Sequence, residues 1–219
     1  MLLLAALLPV LAAPGLPGGG LGRPWPLPAD PARDALRDAY FAAHCPAALA
    51  PDGTALPLHA EMVVLHWTAG PTASSAWNTF AAPALTARPE LSAGGRWNVG
   101  AHFLVERDGT VHALLPLGQP ARHAIGLNHV AIGIENVGDG ERWPLTPAQV
   151  AANAALVRSL AATLPIRWLI GHHEAARFAG HPPHCEQDPR YRTQKPDPGP
   201  AFMDAVRAAL LPLVLGGPP

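Results

Sequence analysis

The sequence predicts an α/β domain, with a single mixed β-sheet and helices packed on both of its faces. Short apolar runs of strand length alternate along the chain with helical patterns that carry capping signals. An Asp-Gly pair joins two of the apolar runs, which predicts a hairpin within the sheet. Hydrophobic residues make up 49% of the 219 residues, which is ample for a core. The expected order is helix, strand, hairpin, strand, helix, strand, long loop and helix.

Three helices have recognisable starts. Asp30 is an N-cap residue followed by proline, so a helix should run from there to about Ala43. Thr146 and Gln149 have the spacing of a capping box at the head of a second helix. A final amphipathic helix is expected after Pro200.

The run 62–67 is short, apolar and rich in β-branched residues, which is typical of a buried strand. Alternation turns Val64 and His66 to one face of the sheet and Val63 and Leu65 to the other. His66 therefore lies at the end of a strand, where loops meet the sheet. The remaining strands are expected at 101–106, 110–115, 130–137 and 167–171.

The N-terminal part is predicted to lie outside the folded domain. Residues 1–13 contain an apolar run followed by small residues, the pattern of a secretory signal peptide. Residues 14–29 are rich in proline and glycine and are interpreted as a linker, so the domain should occupy 30–215. We therefore expect export to the periplasm, cell wall or extracellular space. The alternative is an apolar tail without a targeting role.

Charge and hydropathy exclude two classes of partner. Charged residues are only 14% of the chain and the formal net charge is -1, which does not favour binding to nucleic acid. The N-terminal apolar run is shorter than the roughly 20 residues that span a bilayer, so stable membrane insertion is not expected. We expect the protein to be a monomer.

Two histidines and a carboxylate stand where strands end or loops are rigid. His66 and His172 each follow an apolar strand, and Asp197 lies in a Lys-Pro-Asp-Pro-Gly turn. Two imidazoles and one oxygen suit a single Zn²⁺ ion with an open position for water. Lys195 adds a positive charge beside that position. His173 is a competing ligand, since adjacent strand residues face opposite ways.

Six motifs, in the order of one known family, extend this interpretation. The sequence resembles the zinc-dependent N-acetylmuramoyl-L-alanine amidases of the type-2 amidase family, relatives of peptidoglycan recognition proteins. The resemblance covers roughly residues 61–203. The matching segments are Val-Val-Leu-His-Trp-Thr at 63–68, Ala-His-Phe-Leu-Val-Glu-Arg-Asp-Gly at 101–109, Ala-Arg-His-Ala at 121–124, Ile-Gly-Ile-Glu at 132–135, Ile-Gly-His at 170–172 and Lys-Pro-Asp-Pro-Gly at 195–199.

The resemblance implies a role for each matching position. The metal ligands would be His66, His172 and Asp197, with Glu135 handling protons and Lys195 steadying the oxyanion. Two further family histidines that are not ligands match residues 102 and 123. The implied reaction is hydrolysis of the amide between N-acetylmuramic acid and L-alanine in peptidoglycan or muropeptides. The alternative is a module that binds muramyl peptides without cutting them.

The segment 173–194 is longer than the usual family link. We expect it either to wall one side of the substrate groove, with Phe178, Tyr191 and the arginines of the segment contacting sugar or stem peptide, or to be a solvated loop. Glu174 is expected to orient the neighbouring imidazole. The chain has only two cysteines, Cys45 and Cys185, and the sequence does not decide whether they pair.

Overall fold

A computed structural model describes residues 20–85, 88–92 and 94–219 of the protein. Its centre is one six-stranded sheet with the strand order β1-β4-β3-β5-β2-β6. Only the β3–β4 pair is antiparallel, and the other neighbours run parallel. The predicted α/β class with a single mixed sheet is confirmed. The strands are β1 Arg23–Pro24, β2 Met62–Trp67, β3 Phe103–Val105, β4 Val111–Ala113, β5 Ala131–Asn136 and β6 Trp168–Gly171.

The helices cover both faces of the sheet. They are α1 Pro31–His44, α2 Ala73–Ala81, α3 Pro89–Ser92, α4 Pro147–Thr163, α5 His172–Ala175 and α6 Pro200–Leu210, with 3₁₀ turns at Pro46–Ala48 and Ala176–Phe178. The expected N-caps are present: Asp30 accepts a hydrogen bond from the Ala32 amide, and Thr146 forms a capping box with Gln149. Three helices were not predicted, namely α2, α3 and α5.

Strand β2 shows how the sequence pattern divides the core. Its first five residues are buried, and its side chains alternate between two apolar clusters. Val63 and Leu65 pack into the larger cluster with residues of α4 and α6. Val64 lies on the opposite face with Phe178, and His66 follows it at the strand end. One face is therefore wholly apolar, while the other leaves room for polar side chains at its C-terminal edge.

The folded domain begins before residue 30, which corrects the expected boundary of the linker. Strand β1 pairs in parallel with β4 at the sheet edge. Trp25 stacks on Trp77 of α2 at a centroid distance of 5.7 Å, and Leu27 is buried. Tryptophan and leucine side chains contribute apolar burial even where proline interrupts regular structure. The expected signal peptide lies outside the described residues. Among the residues that the structure describes, no helix has the length and apolar character needed to cross a membrane.

Candidate metal centre and substrate cleft

Three chain segments meet at the C-terminal edge of the sheet. His66 lies in β2, His172 follows β6, and Asp197 belongs to the rigid turn before α6. Strands β2 and β6 are parallel neighbours, with Leu65 opposite Gly171, so their ends deliver the two histidines side by side. The structure thus brings together all three residues expected as ligands.

The ligand atoms form a small triangle. The Nδ1 atoms of His66 and His172 are 3.0 Å apart. The Oδ2 atom of Asp197 is 3.1 Å from each of them. Although burial raises the pKa of Asp197, its contacts with His172 and then His66 hold it well below its usual range. The carboxylate is therefore ionised and supplies negative charge to the triangle.

A chain of hydrogen bonds identifies the tautomer of His66. The Nε2 of His123 lies 3.1 Å from the carbonyl oxygen of Ala131, which can only accept, so this nitrogen carries the proton. Burial lowers the pKa of His123 well below its usual value, so the ring is neutral and its Nδ1 carries no proton. That Nδ1 is 3.1 Å from Nε2 of His66 and accepts its proton. The Nδ1 of His66 therefore presents a lone pair to Asp197 and His172.

These donors fit a metal ion. Two imidazole nitrogens and a carboxylate oxygen face one point, and metal-ligand atoms of the three residues all lie within 4.8 Å of one another. A tetrahedral zinc ion with bonds of about 2.0–2.2 Å separates its ligand atoms by roughly 3.3–3.6 Å, slightly more than the triangle here. Shifts of a few tenths of an ångström in three side chains would accommodate it. Burial and then the charge of His172 lower the pKa of His66 to about 4, which keeps this ligand neutral at pH 7.

The neighbouring His173 has a different role. Its Nδ1 is 3.1 Å from the carbonyl oxygen of Asp197, and its backbone amide donates to the same oxygen. We expected His172 and His173 to face opposite ways as adjacent strand residues. That expectation was wrong, because both lie in the first turn of helix α5. A side chain on Gly171 would meet the His173 ring at 2.7 Å, so glycine lets this turn close. His173 thereby ties the ligand turn to α5.

Glu174 does not orient His172, which corrects that expectation. Its Oε2 accepts a hydrogen bond from the amide of Gly171 at 2.8 Å and pairs with Arg207 at 2.7 Å. The carboxylate therefore caps the short helix α5 and links it to α6. A negative charge at a helix start is favourable, and the pair with Arg207 also satisfies its remaining oxygen.

Glu135 stands beside the triangle on β5. It is the register partner of His66 on the adjacent strand, and it lines the same cavity of about 330 Å³ as Lys195 and the three ligands. Its Oε2 is buried without a hydrogen-bond partner. Burial, and next the charge of Asp197, raise its pKa well above the usual value. A carboxyl group in this state is suited to exchange protons.

His102 and His123 are both buried but serve differently. The ring of His102 bridges two backbone groups, the carbonyl of Gln119 and the amide of Gly133. His123 bridges the backbone and His66. A Cβ on Gly133 would lie 2.8 Å from the His123 ring, so this glycine lets the ring lie against β5. The sequence pointed to both histidines, but only the folded structure distinguishes them.

The segment 173–194 is fixed to the domain by a crosslink. Cys45 and Cys185 form a disulfide that joins helix α1 to this segment, which answers the question that the sequence left open. Nearby, His44 and Glu186 form an ion pair of 2.8 Å with little exposure of either side chain. Tyr191 is buried and accepts a hydrogen bond from Arg122. The alternative of a merely solvated loop is therefore wrong for this part of the segment.

Phe178 does not face the groove, contrary to expectation. It is buried in the apolar cluster behind the ligands and packs edge-on against Trp168. Tyr191 does line the cleft, although its hydroxyl group already has a partner. A large apolar ring is more stable in the core than in a solvated groove, and the Phe178 ring is therefore buried.

The site has the composition of a metal-dependent hydrolase: two histidines at the ends of strands and a carboxylate in a rigid turn, with a buried glutamate oxygen without a hydrogen-bond partner beside them. Residues 56–200 match the model of one family, Amidase_2, described as N-acetylmuramoyl-L-alanine amidase. The chain belongs to this family, and the resemblance inferred from the motifs is confirmed.

Several relatives are similar over part of their length. The endolysin of Escherichia phage T7 is 38% identical over 87 residues, which cover 37% of this chain and 58% of that endolysin. The endolysin of Enterobacteria phage K11 is 33% identical over the same shares of the two proteins. The chain thus spans less than two thirds of the length of these relatives. A crystal structure of selenomethionine AmpD has a TM-score of 0.54 at 22% identity, covering 86% of this chain and 94% of that one, which shows a shared fold.

Proposed function

We propose that this protein is a zinc-dependent N-acetylmuramoyl-L-alanine amidase that hydrolyses the amide between N-acetylmuramic acid and L-alanine in peptidoglycan. The observation that carries the proposal is the triangle of His66, His172 and Asp197 atoms, 3.0–3.1 Å apart, beside Glu135, whose buried Oε2 has no hydrogen-bond partner. Membership of the amidase family supports it. A binding module without catalysis would not need this buried carboxyl group, whose desolvation opposes folding.

The three residues would hold the ion at the wall of the cavity that they line. His66 is kept in the correct tautomer by His123, and His172 and Asp197 are tied together by the turn that His173 closes. A zinc ion bound there would polarise the scissile carbonyl group and make the attacking water more acidic.

Glu135 is proposed to move the protons. With its raised pKa, its Oε2 takes a proton from the attacking water and delivers it to the nitrogen of the leaving L-alanine. Its position on β5 beside His66 holds this carboxyl group in the cavity that would also contain the attacking water and the leaving nitrogen. The lack of a competing hydrogen-bond donor to Oε2 leaves it available for this exchange.

Lys195 is proposed to balance the charge of the intermediate. It lines the cavity two residues from Asp197, and Pro196 between them stiffens the turn. Its ammonium group would offset negative charge on the former carbonyl oxygen. Electrostatic stabilisation of this kind often contributes about a hundredfold or more to turnover.

We also propose that the protein works outside the cytoplasm. The disulfide between Cys45 and Cys185 supports this, because such bonds persist in oxidising compartments. Residues 1–13 would act as the signal peptide and 14–19 as the remaining linker. Fractionation of cells that make the full chain should place the protein in the exported fraction, and deletion of 1–13 should retain it inside.

The decisive experiment is analysis of products from purified sacculi by mass spectrometry. The holoenzyme should release stem peptides that begin in L-alanine and leave intact N-acetylmuramic acid on the glycan. A zinc chelator should abolish the release, and added zinc should restore it. Binding to sacculi without any released peptide would instead favour the non-catalytic module.

A further inference from the structure

A second cavity opens beside the metal centre. Its volume is about 750 Å³, within the range of about 300–1,000 Å³ typical of ligand pockets. His172, Ile125, Tyr191 and Thr193 line both this cavity and the first one. The rest of its wall comes almost entirely from residues 175–192 of the long segment. The two cavities therefore meet at the reacting centre and extend away from it in different directions.

The wall of this second cavity is held rigid by side-chain contacts. The disulfide at Cys185 and the ion pair between Glu186 and His44 anchor its middle. The amide of Cys185 also donates to the carbonyl of Gly126 at 2.8 Å. Tyr191 packs against the ring of His44, with centroids 4.7 Å apart. A cavity whose wall is preorganised in this way can bind a ligand without the loss of conformational entropy that ordering a loop would cause.

The lining of this cavity carries both acidic and basic groups. Glu186 bonds to His44 through Oε1 while its Oε2 is buried without a partner, and Asp188 pairs with Arg190. Arg192 also lines it, and its Nε donates to the carbonyl of Pro189. In the part of the chain that the structure describes, no acidic side chain pairs with the Arg192 guanidinium. Its outer nitrogens therefore remain able to hold a carboxylate.

We propose that this cavity is a subsite for the peptide arm of the substrate, with Arg192 binding one of its carboxylates. The inference rests on the proposed amidase function, which places the scissile amide at the junction of the two cavities. The two arms of that substrate differ in charge. The glycan arm carries hydroxyl and acetamido groups, whereas a stem peptide carries ionised carboxyl groups beyond L-alanine. The cavity with the unpaired guanidinium therefore suits the peptide arm.

The test compares two arginines of the segment 173–194 on matched substrates. Arg192→Ala removes the proposed contact, and Arg177→Ala is the control, because Arg177 is exposed, donates to the backbone oxygen of Pro219 and lines neither cavity. The substrates are a soluble muramyl tripeptide with free carboxyl groups and the same compound with those groups amidated. Zinc-loaded protein is used throughout.

The expected result is a change in KM that depends on the carboxylates. With the free acid, R192A should raise KM by roughly threefold to tenfold at unchanged kcat, the size expected for a partly exposed charged contact. R192K should recover part of this loss, and R177A should leave KM unchanged. With the amidated substrate, the wild type and R192A should have the same KM. Equal KM values on the free acid, or an equal loss on both substrates, would overturn the proposal.

Failure of the proposed function is distinguishable from failure of the subsite. Cleavage of N-acetylmuramoyl-L-alanine amide, which has no carboxylate beyond the scissile bond, reports on the amidase alone. Calorimetric titration of the free tripeptide into wild type and R192A reports on the cavity alone. Tripeptide binding that is equal in both proteins rules out the subsite, whether or not the enzyme cleaves.

Discussion

The metal centre and the segment 173–194 are adjacent, but different forces hold them in place. The centre draws its ligands from residues 66, 172 and 197, and parallel pairing of β2 with β6 sets the two histidines side by side. The segment has almost no regular structure beyond its first turns. It is positioned by a disulfide, a buried ion pair and a tilted contact between two rings. Backbone pairing thus defines the reacting centre, whereas side-chain crosslinks define the cavity beside it. We therefore expect mutations that affect one of these regions to leave the other largely unchanged.

Removing one metal ligand should have the largest effect. His172→Ala is expected to lose stoichiometric zinc and to lower kcat/KM by roughly a thousandfold or more, since the metal contributes several kcal/mol to the transition state. Metal content by mass spectrometry and turnover on muramyl peptide measure both. His173→Ala is the control and should keep its zinc, because its ring contacts only the carbonyl of Asp197. Retention of zinc in the first variant and its loss in the second would reverse the ligand assignment.

Replacing Glu135 should separate activity from stability. Glu135→Gln is expected to lower kcat by roughly a hundredfold to ten-thousandfold while zinc stays bound. Burial, and next Asp197, raise the pKa of this carboxyl group well above its usual value. The unfolded chain therefore loses this proton at lower pH than the folded one, and ionisation opposes folding as pH rises above about 4.3.

The consequence for stability can be measured on the metal-free protein. As pH rises from 4 to 7, wild type should lose free energy of unfolding relative to Glu135→Gln in denaturant titrations. A constant difference between the two proteins across this range would show that the carboxyl group is not held in the protonated form by its surroundings.

The contact between His123 and His66 should matter for metal affinity by a smaller factor. His123→Leu is expected to weaken zinc binding by about tenfold to a hundredfold, as is usual for residues that orient a ligand. His123→Gln retains a donor and an acceptor and should recover part of the affinity. His102→Gln is the matched buried control, because that ring hydrogen-bonds to backbone groups and not to a metal ligand. Competition with a fluorescent chelator measures the zinc affinity of all three variants. Equal affinities for His123→Leu and His123→Gln would contradict a positioning role for His123.

Opening the disulfide should change the centre least. Cys45→Ala with Cys185→Ala is expected to lower the free energy of unfolding by about 2–5 kcal/mol, because the bond closes a long loop in the unfolded chain. The crosslink spans a sequence separation of 140 residues. Zinc affinity should be unchanged, since β2 and β6 still pair. Denaturant titration and chelator competition on the same samples test this, and a loss of zinc binding would show that the segment supports the centre.

Much of the fold was accessible from local patterns. The alternation of Val63, Val64 and Leu65 defined the two faces of β2, and the capping signals at Asp30 and Thr146 placed two helices to within a residue. Helix α2 was missed because it is short and its alanine and serine residues give a weak apolar pattern. The edge strand β1 was missed because prolines and glycines around it indicated a linker.

The sequence alone determined the chemistry that is available: two histidines after apolar strands, a carboxylate between prolines, and a family order of motifs around them. It did not determine distances, because propensity and periodicity act over a few residues while these groups are separated by up to 131 positions. Pairing of β2 with β5 and β6 decided that the ligand atoms meet and that Glu135 lies beside them. Tertiary packing also decided the partner of Cys45, the relay through His123 and the cavity that Arg192 lines. Such contacts depend on the whole chain, since each joins segments whose relative position exists only after the sheet has formed.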